Sequence, residues 1–429
     1  MNIAFYTLGC KVNQYETQVL KEHFEKRGHT VVPDNGLFDA LIINSCTVTA
    51  ESDRKTRQMV RHYRKKRPDA AIVLTGCMVQ AFPVDATALS EADVIVGNTD
   101  PLRVIELTEC FIIGGERITE IGEHKPKERF NTPPVTTFDE RTRAYIKIED
   151  GCDRFCSYCI IPTARGRVRS KPLEEIHGEA TALAKNGFKE IVLVGINLSA
   201  YGKGEDMNIC DAVDRVCEVD GLSRVRLGSV EPDHITDEML SRLKSQKKFC
   251  PQFHLSLQSG CDETLKRMNR HYDTAFFEDL VNRIRRLFPD AAITTDIMVG
   301  FAGETEAEFQ QSLFFVEKTG FSKAHVFAYS RRSGTAAYDF KDQLTRTQKE
   351  SRSKLMIGVA EKSEQAFLFS QLGKNQPVLF EVAGDGYAEG YTPNYVRVRL
   401  FTKEPLSGEI HTVKLISTEK GYCVGEIKK

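Results

Sequence analysis

Three cysteines stand close together in one short stretch of the chain. Cys152, Cys156 and Cys159 are separated by three and by two residues. A structural zinc site normally has four Cys or His ligands, and no fourth Cys or His stands near this stretch. Three thiolates on a four-iron, four-sulfur cluster would instead leave one iron open. The spacing therefore predicts an iron–sulfur cluster whose open iron binds an exchangeable ligand and takes part in chemistry.

A second interpretation is that these cysteines are buried apolar thiols, which are common in cytosolic proteins. The stretch is polar, however, because Asp153, Arg154 and Ser157 lie between and beside the cysteines. A polar loop is a poor place to exclude water from thiols. We therefore favour the cluster.

Three further cysteines each follow an apolar run that predicts a β-strand. Cys10, Cys46 and Cys77 come shortly after the first, second and third predicted strands. In an open parallel sheet the carboxyl ends of the strands lie along one edge, where ligands bind. Any one of these residues could be a core thiol. Their repeated placement is what favours a second three-cysteine cluster site.

The elements that must position this second site lie in residues 1–125. Short β-branched runs alternate here with amphipathic helical stretches, which predicts an open parallel α/β sheet. The predicted strands are Ile3–Leu8, Ala40–Asn44, Ala71–Leu74 and Asp93–Val96. The basic helix Glu51–Arg67 is either a solvated face or a contact for phosphates. From Cys110 to Arg143 the pattern predicts a short hairpin followed by a linker.

A second βα alternation occupies residues 140–371, and the loop with the first three cysteines follows its first strand. The predicted strands are Ala144–Ile148, Glu190–Val194, Arg224–Val230, Gln252–Leu257, Ala292–Val299 and Ala324–Tyr329, with helices that include Leu173–Lys185, Ala275–Leu287 and Glu304–Lys318. Six such units form a doubly wound sheet or a partial barrel. Polar residues end these strands and either surround a cofactor or cap loops: Asn197, Ser229, Glu231, Ser256, Gln258 and Arg331.

Residues 372–429 change character again. Short alternating runs separated by Gly and Pro predict a small antiparallel β-barrel. The predicted strands are Val378–Val382, Tyr395–Leu400, Glu409–Leu415 and Tyr422–Ile427. Basic residues interleaved with aromatic ones could contact RNA or could simply make the exterior soluble: Arg397, Arg399, Lys403, Lys414 and Lys420, with Tyr391, Tyr395 and Phe401. We favour RNA.

Composition limits the function in two ways. The chain has 59 basic and 60 acidic residues, so a contact with nucleic acid must come from local basic patches. The first residues, MNIAFYTLGCKVNQYE, break their apolar run too early for a signal peptide, and no later run is long enough to span a membrane. We therefore expect a cytoplasmic protein without a membrane partner, whose twelve cysteines are metal ligands and buried thiols.

Taken together, these stretches resemble the radical S-adenosylmethionine (SAM) methylthiotransferase family over essentially the whole chain. The N-terminal motifs are TLGCKVNQYET, INSCTVTAESDRKTRQ and VLTGC. The central motifs are GCDRFCSYCIIPTARGRVRSK, HLSLQSGCDETLKRMNR, TDIMVGFAGETEAEF and HVFAYSRRSGT. The tail, with GYTPNYVRVRL, resembles the RNA-binding TRAM domain. Three features are most similar to the MtaB-type branch of the family: Lys11 in GCKVN, TVTAESDRK after Cys46 and HVFAYSRRSGT.

The resemblance implies two [4Fe–4S] clusters: an auxiliary cluster on Cys10, Cys46 and Cys77, and a SAM-cleaving cluster on the catalytic Cys152, Cys156 and Cys159. It implies a partial (β/α)6 barrel in the central domain. The residues that we assign to SAM binding are Tyr158, Gly195, Asn197, Ser229 and Gln258. We hypothesise that one SAM methylates a sulfur on the auxiliary cluster and that a second SAM, once cleaved, supplies a radical that activates the substrate.

For the MtaB-type branch the implied substrate is N6-threonylcarbamoyladenosine beside the anticodon of tRNA, modified at C2. Arg331 and Arg332 are then candidate ligands of the threonylcarbamoyl carboxylate, because arginine binds carboxylates bidentately. The implied partners are the tRNA anticodon stem-loop, a low-potential electron donor and a sulfur donor. Three alternatives stay open: an enzyme for isopentenyladenosine in tRNA, an enzyme for a ribosomal protein, and an iron–sulfur RNA-binding module without catalysis.

Overall fold

The computed structural model describes residues 1–138 and 142–427. The predicted start of the central domain at residue 140 and the last two residues of the chain lie outside the described residues. Within these ranges the chain forms one parallel sheet, a second parallel assembly of two sheets, and a small closed barrel. No helix among the described residues is long and apolar enough to cross a membrane.

The first sheet has six parallel strands in the order β2-β1-β3-β4-β5-β6. Its elements are β1 (Asn2–Thr7), α1 (Lys11–Lys26), β2 (Thr30–Val31), β3 (Ala40–Ser45), α2 (Ala50–Lys66), β4 (Ala71–Gly76), α3 (Cys77–Ala81), α4 (Pro83–Thr87), β5 (Val94–Val96), α5 (Pro101–Gly114) and β6 (Ile118–Glu120). Strands β3 and β4 are buried along their whole length. Helices on both faces bury them, which is why these strands are apolar runs without alternation.

The predicted hairpin after Cys110 is wrong. Cys110 lies inside helix α5, which ends at Gly115 in a left-handed conformation with a φ of 72°. Strand β6 then pairs with β5 in a parallel manner and extends the first sheet. The paired glycines end a helix, which is a common use of glycine just past a last helical turn.

The central part contains six βα units. Its elements are β7 (Arg143–Lys147), β8 (Glu149–Asp150), α6 (Ile161–Arg165), β9 (Arg169–Ser170), α7 (Leu173–Lys185), β10 (Glu190–Val194), α8 (Ile209–Cys217), β11 (Arg224–Leu227), β12 (Ser229–Val230), α9 (Asp237–Ser245), β13 (Gln252–Gln258), α10 (Asp262–Arg267), α11 (Thr274–Leu287), β14 (Ala292–Val299), α12 (Glu306–Thr319), β15 (Lys323–Ala328) and α13 (Arg346–Ser370). Short 3-10 turns lie at Leu198–Ala200, Pro232–His234 and Ala336–Asp339.

The parallel strands of this part follow one another in chain order. One sheet is β7-β10-β11, and the other is β12-β13-β14-β15. The predicted strand Arg224–Val230 is interrupted at Gly228, and its two halves belong to the two sheets. A doubly wound sheet would reverse its strand order at a switch point. The order without reversal is that of the partial barrel.

The last part is a closed five-stranded barrel in the order β16-β17-β18-β20-β19. Its strands are β16 (Asn375–Gly384), β17 (Tyr387–Tyr391), β18 (Arg397–Phe401), β19 (Ile410–Glu419) and β20 (Tyr422–Ile427). All neighbours are antiparallel except β18 and β20, whose parallel pairing closes the barrel. Leu368 of helix α13 packs into its core. The predicted fold class of all three parts is confirmed.

Candidate functional site

The first set of cysteines lies in the loop between β8 and α6. Gly151 begins this loop with a φ of 87°, and a Cβ there would come within 2.0 Å of the carbonyl oxygen of Arg167. The backbone N–H of Cys159 donates to the carbonyl of Cys156 over 2.9 Å. Burial raises the pKa of the Cys152 and Cys159 thiols to about 12, and the neighbouring Cys156 adds to both shifts. Thiols of this kind become strong ligands once a metal displaces their protons.

A buried arginine contacts this set. Arg270 donates from Nη1 to the Sγ of Cys156 over 3.1 Å. It also forms an ion pair with Glu231, donates to the carbonyl of Ser256, and donates from Nε to the hydroxyl of Tyr272 over 3.0 Å. Hydrogen bonds to cluster sulfurs tune reduction potential. Glu231 belongs to the predicted ring of polar strand ends. Nothing in the sequence distinguished Arg270, because its partners come from separate elements.

The second set of cysteines lies at the carboxyl ends of β1, β3 and β4. Cys46 and Cys77 are buried and Cys10 is exposed. A Cβ on Gly9 would lie 3.1 Å from the Cβ of Cys46, so the backbone before Cys10 passes close beside Cys46. Burial raises the pKa of the Cys46 thiol, and it raises the pKa of Cys77 to about 12 against the opposing charge of Arg165.

Arg165 connects the two sets. Its guanidinium, which is 1% exposed, donates from Nε to the Sγ of Cys77 over 3.2 Å. It also donates from Nη1 to Glu16 over 2.5 Å and to Asp150 over 3.3 Å, and from Nη2 to Asn13 over 3.3 Å. Asp150 directly precedes the first cysteine loop, while Asn13 and Glu16 follow Cys10 on helix α1. Nothing in the sequence distinguished Arg165, because most of its partners lie in a distant part of the chain.

The donor groups fit four-iron clusters better than single metal ions. Among the residues that the structure describes, no three His, Cys, Asp or Glu side chains are placed to hold one metal ion. Ligands of a four-iron cluster bind different irons and therefore stand further apart than ligands of one ion. Each set offers three thiols. Such a donor set suits a cluster with one open iron.

Two of the predicted cofactor residues surround one buried carboxyl group. The backbone N–H of Asn197 donates to Oε2 of Glu149 over 2.7 Å, and a Cβ on Gly195 would lie 2.6 Å from the same oxygen. Within the described chain, Oε1 of Glu149 and Oδ1 of Asn197 are buried without a hydrogen-bond partner. Buried acceptors without partners are rare. These two oxygens fit a ligand that carries donor groups, such as hydroxyls or an amine.

The other predicted cofactor residues have different surroundings. The ring of Tyr158 packs edge-on against Phe301, with the centroids 6.3 Å apart. Gln258 has a φ of 69° where strand β13 shifts its register, and such a bulge re-aims a side chain. Ser229 lines a large cavity together with His254.

Arg331 and Arg332, the predicted ligands of the substrate carboxylate, have different surroundings. Arg332 is buried, forms an ion pair with Asp53 over 2.7 Å and donates to the hydroxyl of Thr47 over 2.6 Å. Arg331 is exposed and donates to the carbonyl of Tyr338. The first sheet domain therefore already contacts two donors of Arg332, while its Nε is buried without a hydrogen-bond partner in the described chain and Arg331 is open to solvent.

The cavity lined by Ser229 has a volume of about 630 Å³. It lies where the three parts of the chain meet. Strands of the partial barrel, helix α13, the closed barrel and the first residue of helix α1 all contribute to its walls: Lys11, Leu227, Gly228, Ser229, Gln252, His254, Ala292, Thr294, Ser322, Lys323, His325, Glu361, Glu364, Gln365, Phe367, Leu368, Tyr391, Tyr395, Val396, Arg397, Lys420 and Gly421.

Two stacked tyrosines form one wall of this cavity. The rings of Tyr391 and Tyr395 lie 4.7 Å apart, and the guanidinium of Arg143 lies over both. Although burial opposes ionisation, Arg143, Lys11 and Arg226 hold the pKa of Tyr395 below its usual value. Burial lowers the pKa of Lys11, although this side chain is exposed to the cavity itself. The pKa of Lys11 is lowered because protein surrounds the cavity, and the side chain is exposed because it borders the open space of the cavity.

Comparisons with known proteins identify the class of this chain. Residues 146–316 match the radical SAM superfamily, and residues 2–97 match a family described as uncharacterized protein family UPF0004. The solved structure of the radical SAM methyltransferase TsrM from Kitasatospora setae has a TM-score of 0.59 at 15% identity, covering 78% of this chain and 76% of that one. The fold and the site thus define a radical SAM protein.

Curated relatives narrow this class. The chain is 35% identical to the threonylcarbamoyladenosine tRNA methylthiotransferase MtaB of Bacillus subtilis, over 99% of this chain and 96% of the relative. It is 37% identical to the protein of that name from Thermotoga maritima, over 98% and 95%. It is 35% identical to a tRNA-2-methylthio-N(6)-dimethylallyladenosine synthase of Natranaerobius thermophilus, over 99% and 96%. The chain belongs to the radical SAM tRNA methylthiotransferase family, and SAM and a [4Fe–4S] cluster are the cofactors of such an enzyme.

Proposed function

We propose that the enzyme converts N6-threonylcarbamoyladenosine beside the tRNA anticodon to its 2-methylthio derivative. The observation that carries this proposal is the single side chain of Arg165, which contacts Cys77 of the second set and Asp150 at the start of the loop of the first set. Two cysteine sets joined in this way suit a reaction in which sulfur and radical chemistry meet on one base. The identities of 35% and 37% to MtaB proteins over nearly the full length support the substrate.

The reaction needs a cofactor because adenine C2 carries a strong, nonacidic C–H bond. No side-chain base removes such a proton at neutral pH. When bound, a [4Fe–4S] cluster with SAM supplies a carbon-centred radical that side chains cannot generate. Cys152, Cys156 and Cys159 would hold that cluster. Around them, the orphaned oxygens of Glu149 and Asn197 would accept hydrogen bonds from SAM and orient it.

Cys10, Cys46 and Cys77 would hold a second [4Fe–4S] cluster, which supplies the site at which sulfur is carried. The chain's own residues fix the position of these thiols. Arg165 donates to Cys77, and Arg332 holds the hydroxyl of Thr47 directly after Cys46. Both arginines come from the central part of the chain. Two buried cations of the central part therefore contact the second set or its neighbour, and Arg165 also contacts Asp150 beside the first set.

The surface for tRNA would include part of the closed barrel. Arg399 stacks on the rings of Tyr387 and Tyr422, and both Arg397 and Arg399 contact Glu389. A row of arginine and aromatic side chains suits stacking with unpaired bases. Base splaying is natural in the single-stranded anticodon loop.

The basic helix α2 is a weaker RNA candidate. Arg54 and Arg61 pair with the carboxylates of Glu51 and Glu91, and Arg67 donates to the backbone carbonyls of Gly36 and Phe38. Protein contacts therefore already use several of its cations. The reaction also requires a low-potential electron donor and a sulfur donor, and we expect the enzyme to work in the cytoplasm, where tRNA is modified.

The test supplies the anaerobically reconstituted enzyme with three anticodon stem-loops. Their target adenosine carries threonylcarbamoyl, isopentenyl or no group on N6, and mass spectrometry of the nucleosides measures the product. We expect the 2-methylthio product from the threonylcarbamoyl loop at a rate at least about tenfold above the other two. Product from the isopentenyl loop alone would assign the sister activity. Intact clusters without 5′-deoxyadenosine would support the non-catalytic module.

A further inference from the structure

Lys11 is the first residue of helix α1 and directly follows Cys10. Its side chain lines the cavity of about 630 Å³, and the stacked rings of Tyr391 and Tyr395 line the same cavity. A group that Lys11 binds in this cavity is therefore separated from Cys10 of the second cysteine set by about the length of one lysine side chain.

Lys11 differs from the other cations of the cavity wall. Each of the others forms an ion pair with a carboxylate: Lys323 with Glu364 at 3.4 Å, Lys420 with Glu361 at 2.9 Å, and Arg397 with Glu389. The side chain of Lys11 has no hydrogen bond or ion pair within the part of the chain that the structure describes. The wall thus presents one lysine whose charge is not matched by a protein carboxylate.

The charged groups that act on Lys11 are Tyr395, Arg143, Arg226 and Cys10, none of which is a carboxylate. Arg143 and Arg226 are cations that are themselves neutralised by Glu381 and Glu190. Lys11 is thus an unmatched cation beside two neutralised ones, and protein bounds the space around it. It therefore attracts an anionic ligand more strongly than an exposed surface lysine does. The fitting ligand carries a carboxylate, or another single anionic group, on a body small enough for the cavity.

The proposed substrate has such a group in the required position. In adenine, N6 and C2 flank N1, so a substituent on N6 lies along the same edge of the base as the reacting carbon. If C2 is presented to the second cysteine set, the carboxylate of a threonylcarbamoyl group on N6 lies near the residues that follow those cysteines. Lys11 is such a residue, and an isopentenyl group would leave its charge unmatched.

We propose that Lys11 binds the carboxylate of the N6 substituent and so selects threonylcarbamoyladenosine over adenosines with apolar N6 groups. This inference rests on the proposed function. It assigns the carboxylate to Lys11 in place of Arg332, whose guanidinium is held by Asp53.

The experiment isolates the carboxylate with a pair of ligands. One anticodon stem-loop carries threonylcarbamoyladenosine, and the other carries its methyl ester, which has the same shape without the charge. Dissociation constants are measured anaerobically with the reconstituted full chain for the wild type, Lys11→Met, Lys11→Gln and Lys11→Arg. The double variant Lys323→Met/Glu364→Gln is the matched control, because it removes a cation of the same wall together with its carboxylate partner. Iron content and melting temperature are measured for every variant.

We expect the wild type to bind the acid at least about tenfold more tightly than the ester, as for other charge-assisted hydrogen bonds. Lys11→Met and Lys11→Gln should bind both loops about equally. Lys11→Arg should keep a preference for the acid, and Lys323→Met/Glu364→Gln should keep the full preference. Either neutral variant with the wild-type preference overturns the inference. So does loss of iron in both neutral variants, since Lys11 would then serve the cysteine site.

The proposed function fails in a different way. A wild-type enzyme that binds the acid more tightly than the ester but transfers no methylthio group to either loop would contradict the proposed reaction. The affinity ratio of the Lys11 variants would still decide whether this residue binds the carboxylate.

Discussion

The Nε of Arg165 donates a hydrogen bond to the Sγ of Cys77 over 3.2 Å, although 88 residues separate the two in the sequence. Arg165 ends the short helix that follows the first cysteine loop, and Cys77 begins helix α3 of the first sheet domain. One buried guanidinium therefore belongs to the surroundings of both cysteine sets. Its remaining donors bind the carboxylates of Glu16 and Asp150.

Replacement of Arg165 by methionine should destabilise the protein and disturb the second cysteine set. The change leaves two carboxylates buried with fewer cations, and breaking a buried ion pair costs about 3–5 kcal/mol. We expect a clear fall in melting temperature and an altered electron paramagnetic resonance signal of the second cluster in a Cys152→Ala background. Arg165→Lys should retain more stability, since it keeps the charge but not the fork of donors. A methionine variant with both properties unchanged would contradict this account of Arg165.

Acid should weaken the attachment of the closed barrel through Glu190. This side chain is fully buried and pairs with Arg226 over 2.8 Å, while the same arginine donates to the carbonyl of Pro393 in the closed-barrel domain. Burial opposes its ionisation, but Arg226 and its neighbours more than offset this and hold the pKa of Glu190 below its usual value.

Because the folded pKa is depressed, the stabilisation by Glu190 is present above the unfolded pKa of about 4.3 and is lost as pH falls through the folded value. We expect the melting temperature of the wild type to fall as pH is lowered below about 5. Glu190→Gln should be less stable near neutral pH and should show a shallower acid dependence. Parallel curves for the two proteins would reject this role of Glu190.

Gly151→Ala should prevent the first cysteine loop from forming. The residue has a φ of 87°, and the added Cβ would meet the carbonyl of Arg167 at 2.0 Å. Gly187→Ala is the matched control, because Gly187 has a φ of 92° but open space around it. The control should cost only the backbone strain of about 1–2 kcal/mol. We expect Gly151→Ala alone to lose about four irons; equal iron content in the two variants would contradict the clash.

Much of the fold was predictable because buried strands are apolar runs with clear ends. Strands Glu190–Val194 and Ala292–Val299 match their predicted bounds. Strand β17 was missed because Ala388, Glu389 and Gly390 at its centre have low strand propensity, and closure of the barrel overrides that preference. Local patterns also could not separate a barrel from a doubly wound sheet, since strand order is a long-range property.

The candidate site was predictable in its cysteines but not in the groups that surround them. Spacing and position after strands are local signals. The contact between Arg332 and Asp53, by contrast, joins residues from different domains, and no periodicity reports such a pair. For the same reason the sequence did not distinguish Arg165 and Arg270 from the other arginines of the chain.

The central claim is that two separate clusters serve one reaction, and iron content together with SAM cleavage tests it most directly. The wild type, Cys152→Ala and Cys46→Ala are reconstituted anaerobically, and iron and 5′-deoxyadenosine are measured. We predict about eight irons in the wild type and about four in each variant, with SAM cleavage lost only in Cys152→Ala. About four irons in the wild type, or no SAM cleavage under strong reduction, would contradict the account.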